Sequence, residues 1–196
     1  MRFSSVSLAI ASASAITIVS TAPLRAQVDA REPGRFIDTL ADTAFATLRH
    51  GSPTAARAQF RTLLGQYFDV GAIGDRLIQR HRARISPVQY ARYKAAFPGF
   101  IIGTYGARLQ PYANADLKVL RVVPRGTSAV VMTNVSRPGS RPSSVAWTVT
   151  RTGSTYQVSN LSVGGVNLGL AQQADFDSYI QRNGFDGLIA FMSSRS

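Results

Sequence analysis

The sequence predicts an α+β domain in which a four-stranded antiparallel sheet carries helices packed on one face. Apolar residues recur at helical spacing through the first part of the chain, as Phe36, Leu40 and Phe45 illustrate. From Asp116 the period changes to two, and four short segments keep it as far as Val163. Helical spacing then returns. Consecutive strands joined by short turns form an antiparallel meander, and helices before and after it are expected to cover one face.

Local start signals divide the helical part. Ser52, followed by proline, predicts the N-cap of a second helix, and Asp69 predicts the N-cap of a short third one. Ser86 and Gln89 flank a Pro-Val pair and predict a capping box, after which a long helix should run toward Leu109. Pro98-Gly99 interrupts that helix, so we expect a kink or a division into two helices there.

Four segments alternate as half-buried strands do, and two glycine signals follow them. Gly164-Gly165 predicts a break into an amphipathic helix, and Asn183-Gly184 predicts its separation from a final short helix. The predicted strands cover residues 116–123, 129–136, 145–149 and 156–163.

The first 26 residues have the composition of a secretory signal peptide. Arg2 precedes an apolar stretch of small residues, 8–19, and Ala26 suits cleavage. An uncleaved anchor is the alternative, but the apolar stretch is shorter than the roughly 18 residues that span a bilayer. We therefore expect one domain over residues 27–196, beginning with a loose segment, 28–34.

The formal net charge is +12, and loss of Arg2 and Arg25 with the signal leaves +10. Such a charge favours an anionic partner, and export makes nucleic acid a poor candidate. The chain has no Cys, which excludes disulfides and a lipidated N-terminal cysteine. A hydrophobic content of 45% fits a chain that buries much apolar surface, as a core or as the lining of a cavity.

Catalytic and metal-binding patterns are weak. The two histidines, His50 and His81, are not in metal-ligand spacing, and no G-x-S-x-G motif occurs. We therefore predict neither a metal site nor an enzyme. A basic cluster, Arg76, Arg80, Arg82 and Arg84, is either a solvated helix end or a docking face for an anionic partner.

Several motifs together resemble those of the MlaC family, also called the toluene-tolerance or Ttg2-type family. The helix start Ser86-Pro87-x-Gln89 is similar to the family's S/T-P-x-Q, and Gly165-Val166-x-Leu168 is similar to its G-V-S-L. Departures occur at Gln79, Arg82, Asn167 and Gln173. Further matching positions are Phe68-Asp69, Tyr105, Phe176 and the closing Gly184-Phe185-Asp186-Gly187-Leu188-Ile189.

The resemblance implies a monomeric periplasmic carrier of phospholipid, without cofactor, that helps to maintain outer-membrane lipid asymmetry. It implies an inner-membrane ABC transporter complex and an outer-membrane lipoprotein complex as partners, and a cleft between sheet and helices for acyl chains. The residues expected to line that apolar lipid cleft are Phe68, Ile73, Leu77, Tyr93, Phe97, Ile101, Tyr105, Val131, Val145, Trp147 and Val149.

Other functions remain open at this point. Some relatives accompany hopanoid pathways, so a hopanoid is an alternative ligand. An enzyme of the NTF2-like group would need a carboxylate in its pocket, and Asp69 and Asp116 are the candidates. A docking module without any ligand is the third alternative.

Overall fold

The computed structural model describes residues 28–195, so the predicted signal peptide lies outside the described residues. Within this range the helices and strands occur in the predicted order. The helices are α1 (Pro33–His50), α2 (Pro53–Tyr67), α3 (Val70–Leu77), α4 (Pro87–Tyr105) and α5 (Leu168–Ser193), with 3-10 helices at Arg82–Arg84 and Ala107–Tyr112. The strands are β1 (Asp116–Arg125), β2 (Ser128–Ser136), β3 (Ser143–Thr152), β4 (Thr155–Val163) and β5 (Val166–Asn167).

The sheet is an antiparallel meander in the order β1-β2-β3-β4-β5, so the α+β class is confirmed and the strand count of four is wrong. The extra strand arises at Gly164-Gly165, where φ values of 57° and 83° turn the chain back on itself. Val166 then pairs with Val163 before α5 begins. Two successive glycines at positive φ make a tight hairpin turn, which the sequence prediction took for a simple break.

The predicted caps are present and fix where the helices begin. Ser52 accepts the N–H of Ala55 at 3.2 Å, and Asp69 accepts the N–H of Ala72 at 2.9 Å. Ser86 and Gln89 form the reciprocal capping box, with distances of 3.1 and 3.0 Å.

Helix α4 runs from Pro87 to Tyr105 with Pro98 inside it. The alternative of a separate helix beginning at Pro98 is therefore wrong. The prediction also carried this helix too far, because α4 ends at Tyr105 and a 3-10 helix replaces the last turns before β1.

The interior consists of two apolar clusters. The sheet cluster joins α1 to the inward face of the sheet, and Phe36, Val131 and Val149 are among its fully buried residues. The helical cluster joins α3, α4 and α5, and Tyr93 and Phe176 lie at its centre. Helices α2, α3 and α5 contact β4, where the two clusters approach each other. None of the helices within residues 28–195 combines the length and hydropathy needed to cross a membrane.

Candidate functional site

A pocket of about 480 Å³ opens where α2, α3, α4 and β4 meet. Its size falls within the range of about 300–1,000 Å³ that is usual for sites of small organic ligands. Five apolar side chains line it: Leu64, Phe68, Val70, Pro98 and Ile102. The remaining lining residues are Arg61, Gly65, Asp69, Gly71 and Gln157.

The polar groups of this pocket are few and have different roles. Asp69 is half-buried and is already used as the N-cap of α3. Arg61 is exposed and makes no ion pair or hydrogen bond with its side chain among the described residues. The pocket therefore combines an apolar lining with a free cation at its edge, which suits a ligand with an apolar body and an anionic group.

A second groove, of about 490 Å³, lies between the start of α1 and β1. Its lining contains the carboxylates of Glu32, Asp38 and Asp116 and the cations of Arg35 and Lys118. Charged groups of both signs make it a poor site for an apolar ligand, and none of the eleven predicted lining residues belongs to it.

The structure divides ten of the eleven predicted lining residues between the two clusters. Leu77, Tyr93 and Phe97 are buried in the helical cluster, and Ile73 and Ile101 pack against it half-buried. The hydroxyl of Tyr93 donates to the carbonyl of Gly74 at 2.8 Å within this cluster. The stacked rings of Tyr93 and Phe97 have their centroids 5.7 Å apart.

The other predicted residues belong to the sheet or to its neighbourhood. Val131, Val145 and Val149 are buried on the inward face, and Phe68 and Trp147 pack against the same cluster. Phe68 alone of the eleven also lines the 480 Å³ pocket.

Tyr105 belongs to neither cluster. It is half-buried, and its hydroxyl donates to the side-chain oxygen of Gln172 at 2.9 Å. Whether any of the eleven residues touches a ligand stays a prediction.

The sequence prediction did not include Leu64, Pro98 or Ile102 as pocket residues. Their spacing does indicate which residues share a helix face, because Leu64 and Phe68 are four residues apart, as are Pro98 and Ile102. Side chains four apart share one face of a helix. The spacing does not predict which faces of α2 and α4 come together at the pocket, because that depends on the tertiary structure.

Contacts beside the pocket connect both ends of α3 to β4. Phe68 forms a parallel bridge with Val158, and the N–H of Asp69 donates to the carbonyl of Val158 at 3.0 Å. The guanidinium of Arg76 donates to the neighbouring carbonyl of Ser159.

Arg80 and Arg82 have separate partners, whereas Arg84 has no side-chain partner in the part of the chain that the structure describes. Asp177 on α5 accepts from Arg80 at 3.0 Å and lies 2.8 Å from His81 Nε2. Arg82 lies 3.9 Å from the ring centroid of Tyr90, a cation–π contact. The segment that follows α3 is therefore joined to α4 and α5, as well as presenting charge to solvent.

Burial raises the pKa of the Tyr93 phenol above its ordinary value, and the nearby Asp75 and Tyr90 add to that shift. Burial also raises the pKa of Tyr105, with opposing effects from Arg108 and Asp175. Both phenols are therefore neutral at physiological pH.

Of the two carboxylates considered for an enzyme, Asp69 lines the 480 Å³ pocket but already serves as a helix cap, and Asp116 lies outside that pocket. Asp116 is exposed at the start of β1, and Asp69 caps α3 in another part of the molecule. Within residues 28–195, no group of three or more histidine or acidic side chains is placed to hold a metal ion.

The family model described as MlaC protein matches residues 37–194 of this sequence. This chain belongs to the MlaC family. A solved structure with the same fold is the phospholipid-binding protein from Ralstonia solanacearum, determined at 1.53 Å in complex with a phospholipid. The two superpose with a TM-score of 0.68 at 20% identity, covering 81% of this chain and 93% of that one.

The motifs shared with the MlaC family correspond to particular local structures in this chain. The S-P-x-Q motif is the capping box that starts α4, and Gly164-Gly165 forms the hairpin before α5. Gly184, in the closing motif, has φ 73° and ψ 173° and interrupts α5. Arg82, one of the departures from the family motifs, covers the ring of Tyr90.

Proposed function

We propose that this protein is a periplasmic carrier of phospholipid that takes acyl chains between its two apolar clusters. Membership of the MlaC family over residues 37–194 is the observation that carries this proposal. The phospholipid bound to the Ralstonia solanacearum protein of the same fold supports it. The carrier would exchange lipid with an inner-membrane ABC transporter complex and an outer-membrane lipoprotein complex, so as to maintain outer-membrane lipid asymmetry.

The energetics favour a carrier over free diffusion. Each methylene exposed to water costs about 0.8 kcal/mol, so the two acyl chains of one phospholipid would cost on the order of 20 kcal/mol. A cavity as apolar as a membrane removes most of that cost. Transfer from membrane to cavity is then nearly isoenergetic, and loading and release can reverse without covalent chemistry.

The 480 Å³ pocket is the proposed mouth of the cavity. Its apolar wall leads to both clusters, because Phe68 packs against the sheet cluster and Val70 packs against the helical cluster. The guanidinium of Arg61, which has no side-chain partner among residues 28–195, is the proposed contact for an anionic head group at the edge. The eleven predicted residues are the proposed walls for the chains beyond it.

A bulky substitution at Gly65 tests this assignment without disturbing the packing of the core. Gly65 lines the pocket within α2, and a Cβ built there would meet no atom within 4 Å. Tryptophan is a better helix former than glycine by a few tenths of a kcal/mol. Gly65→Trp should therefore fold normally and obstruct the pocket. Gln66→Trp is the matched control, because the neighbouring Gln66 is exposed and lies outside the pocket lining.

The measurement is native mass spectrometry of the exported protein, followed by extraction and identification of its lipid. The proposal predicts bound phospholipid in the unmodified protein and in Gln66→Trp, and much less in Gly65→Trp. Equal lipid in all three proteins would reject the pocket as the mouth. A lipid-free protein that takes up nothing from labelled vesicles would reject the carrier, and an extracted hopanoid would change the ligand.

A further inference from the structure

The outward face of β1 and β2 is open and apolar at its centre. Leu120 is 53% exposed and Met132 is 42% exposed, and both are large aliphatic side chains. They are neighbours because the register of β1 and β2 shifts between Val119 and Arg121, which leaves Leu120 in a bulge beside the Arg121–Met132 pair. The buried Val131 points to the opposite, inward face, where α1 packs.

Cations surround this apolar centre. Arg121 pairs with Met132, Arg125 pairs with Ser128, and Lys118 pairs with Asn134, so all three cations lie on the outward face. All three are exposed, and among residues 28–195 none of them has a side-chain ion pair or hydrogen bond.

Carboxylates are missing from the sheet beyond its first residue. Between Asp116 and Asp175 the sequence contains six cations and no Asp or Glu. The ten acidic residues of the chain all lie outside that interval. Glu32, Asp38 and Asp116 share a groove with Lys118 but not with Arg121 or Arg125, so the positive potential of the sheet is strongest at the two arginines.

We propose that this outward sheet face, defined by Lys118, Leu120, Arg121, Arg125 and Met132, binds the surface of an anionic phospholipid bilayer. Exposed aliphatic side chains can enter the interface while arginine and lysine meet the phosphates around them. Unpaired, freely rotating cations suit laterally mobile phosphates. A folded acidic protein would present its carboxylates at fixed positions. Cations that pair with fixed carboxylates are usually oriented by neighbouring side chains, and no side-chain contact among residues 28–195 orients these three.

This surface is separate from the proposed lipid pocket. The pocket lies against β4, and none of its lining residues belongs to β1 or β2. Bilayer binding can therefore succeed or fail independently of the carrier function. Gly65→Trp should bind vesicles as the unmodified protein does, whatever its lipid content.

Co-sedimentation of the exported protein with vesicles tests the proposal. Binding to vesicles of phosphatidylcholine mixed with phosphatidylglycerol should exceed binding to phosphatidylcholine alone, and it should weaken as salt is added. Each cation near an anionic surface contributes about fivefold, so Arg121→Gln with Arg125→Gln should weaken binding by roughly 25-fold. The matched control removes the same charge elsewhere, at the exposed Arg57 on α2 and Arg182 on α5, and should lose much less.

A fluorescent label identifies the contacting face directly. Because the chain has no Cys, Met132→Cys provides a single labelling site, and Arg182→Cys provides the comparison site. An environment-sensitive dye at position 132 should shift to shorter wavelength with anionic vesicles, and the dye at position 182 should not. Equal shifts, or equal losses for the two arginine pairs, would overturn the proposal. Failure to bind anionic vesicles would also overturn it and would favour an acidic protein as the partner.

Discussion

Replacement of Pro98 by alanine tests whether the proline provides space for the ligand. Pro98 is half-buried in the interior of α4 and lines the 480 Å³ pocket. Proline in a helix costs about 3 kcal/mol relative to alanine, because it lacks the N–H that bonds the carbonyl four residues earlier, here that of Lys94. Alanine also loosens the unfolded chain, which returns up to about 1 kcal/mol. The expected net gain in unfolding free energy is about 2 kcal/mol.

This gain should raise Tm by roughly 4–8 °C, since each kcal/mol moves Tm by about 2–4 °C in a domain of this size. If the proline keeps α4 from closing over the pocket, Pro98→Ala should also hold less lipid. Thermal unfolding followed by circular dichroism gives the first quantity, and native mass spectrometry gives the second. A more stable variant with unchanged lipid content would refute the connection between Pro98 and the cavity.

Two further substitutions test the described interior. Tyr93→Phe removes the bond to the Gly74 carbonyl and should lower the free energy of unfolding by about 1–3 kcal/mol near neutral pH. The pKa of Tyr93 is higher in the folded protein than in the unfolded chain, where it is about 10. This difference stabilises the folded state fully below about pH 10, and the stabilisation is lost as the pH rises toward the folded pKa. Urea unfolding above pH 10 should therefore show a steeper decline for the unmodified protein than for Tyr93→Phe, and equal slopes would contradict the shift. Gly184→Ala forces an L residue to φ 73° and ψ 173° and should cost about 1–3 kcal/mol by the same measurement. Gly65→Ala, at a helical position with open space, should instead gain up to about 1 kcal/mol, and a neutral Gly184→Ala would show that the position accepts other residues.

The helices and the four longer strands of this fold could be predicted because their causes are local. The capping box at Ser86 and Gln89 needs only residues three apart, and it forms as predicted. The alternation in β2 and β3 likewise identified strands whose odd-numbered residues, such as Val131 and Val149, are buried. A period of two and a cap can be read without any knowledge of the tertiary structure.

Contacts between distant segments could not be predicted in this way. Asp177 lies 96 positions from His81, and neither residue carries a local sign that the other is its partner. The segment before α1 shows the same limit. It was expected to be loose, but Val28 is buried in the sheet cluster and the N–H of Asp29 donates to Thr39 Oγ1 at 2.9 Å. A polar, proline-containing sequence does not indicate that the segment will pack against a helix.

The lining residues were predicted from helix and strand faces as if they formed one apolar interior. The fold instead has two clusters, and side chains such as Phe97 and Val149 are fully buried within separate ones. Periodicity identifies a buried face but does not state what covers it. The same apolar side chain satisfies the pattern whether it packs against protein or against an acyl chain.

The division into two clusters bears on how a carrier can open. Beside the pocket α3 is joined to β4 by two hydrogen bonds, one between the backbones of Asp69 and Val158 and one from the Arg76 side chain to the carbonyl of Ser159. A hydrogen bond of this kind contributes about 1 kcal/mol net, because water replaces the partner when it breaks. Exposing one fully buried apolar side chain costs about 1.5–3 kcal/mol, and each cluster contains several such side chains. Separation at the contacts beside the pocket is therefore cheaper than loosening of either cluster, and an entering acyl chain would offset the apolar surface that separation exposes. The proposed carrier would thus admit its ligand while both clusters stay folded.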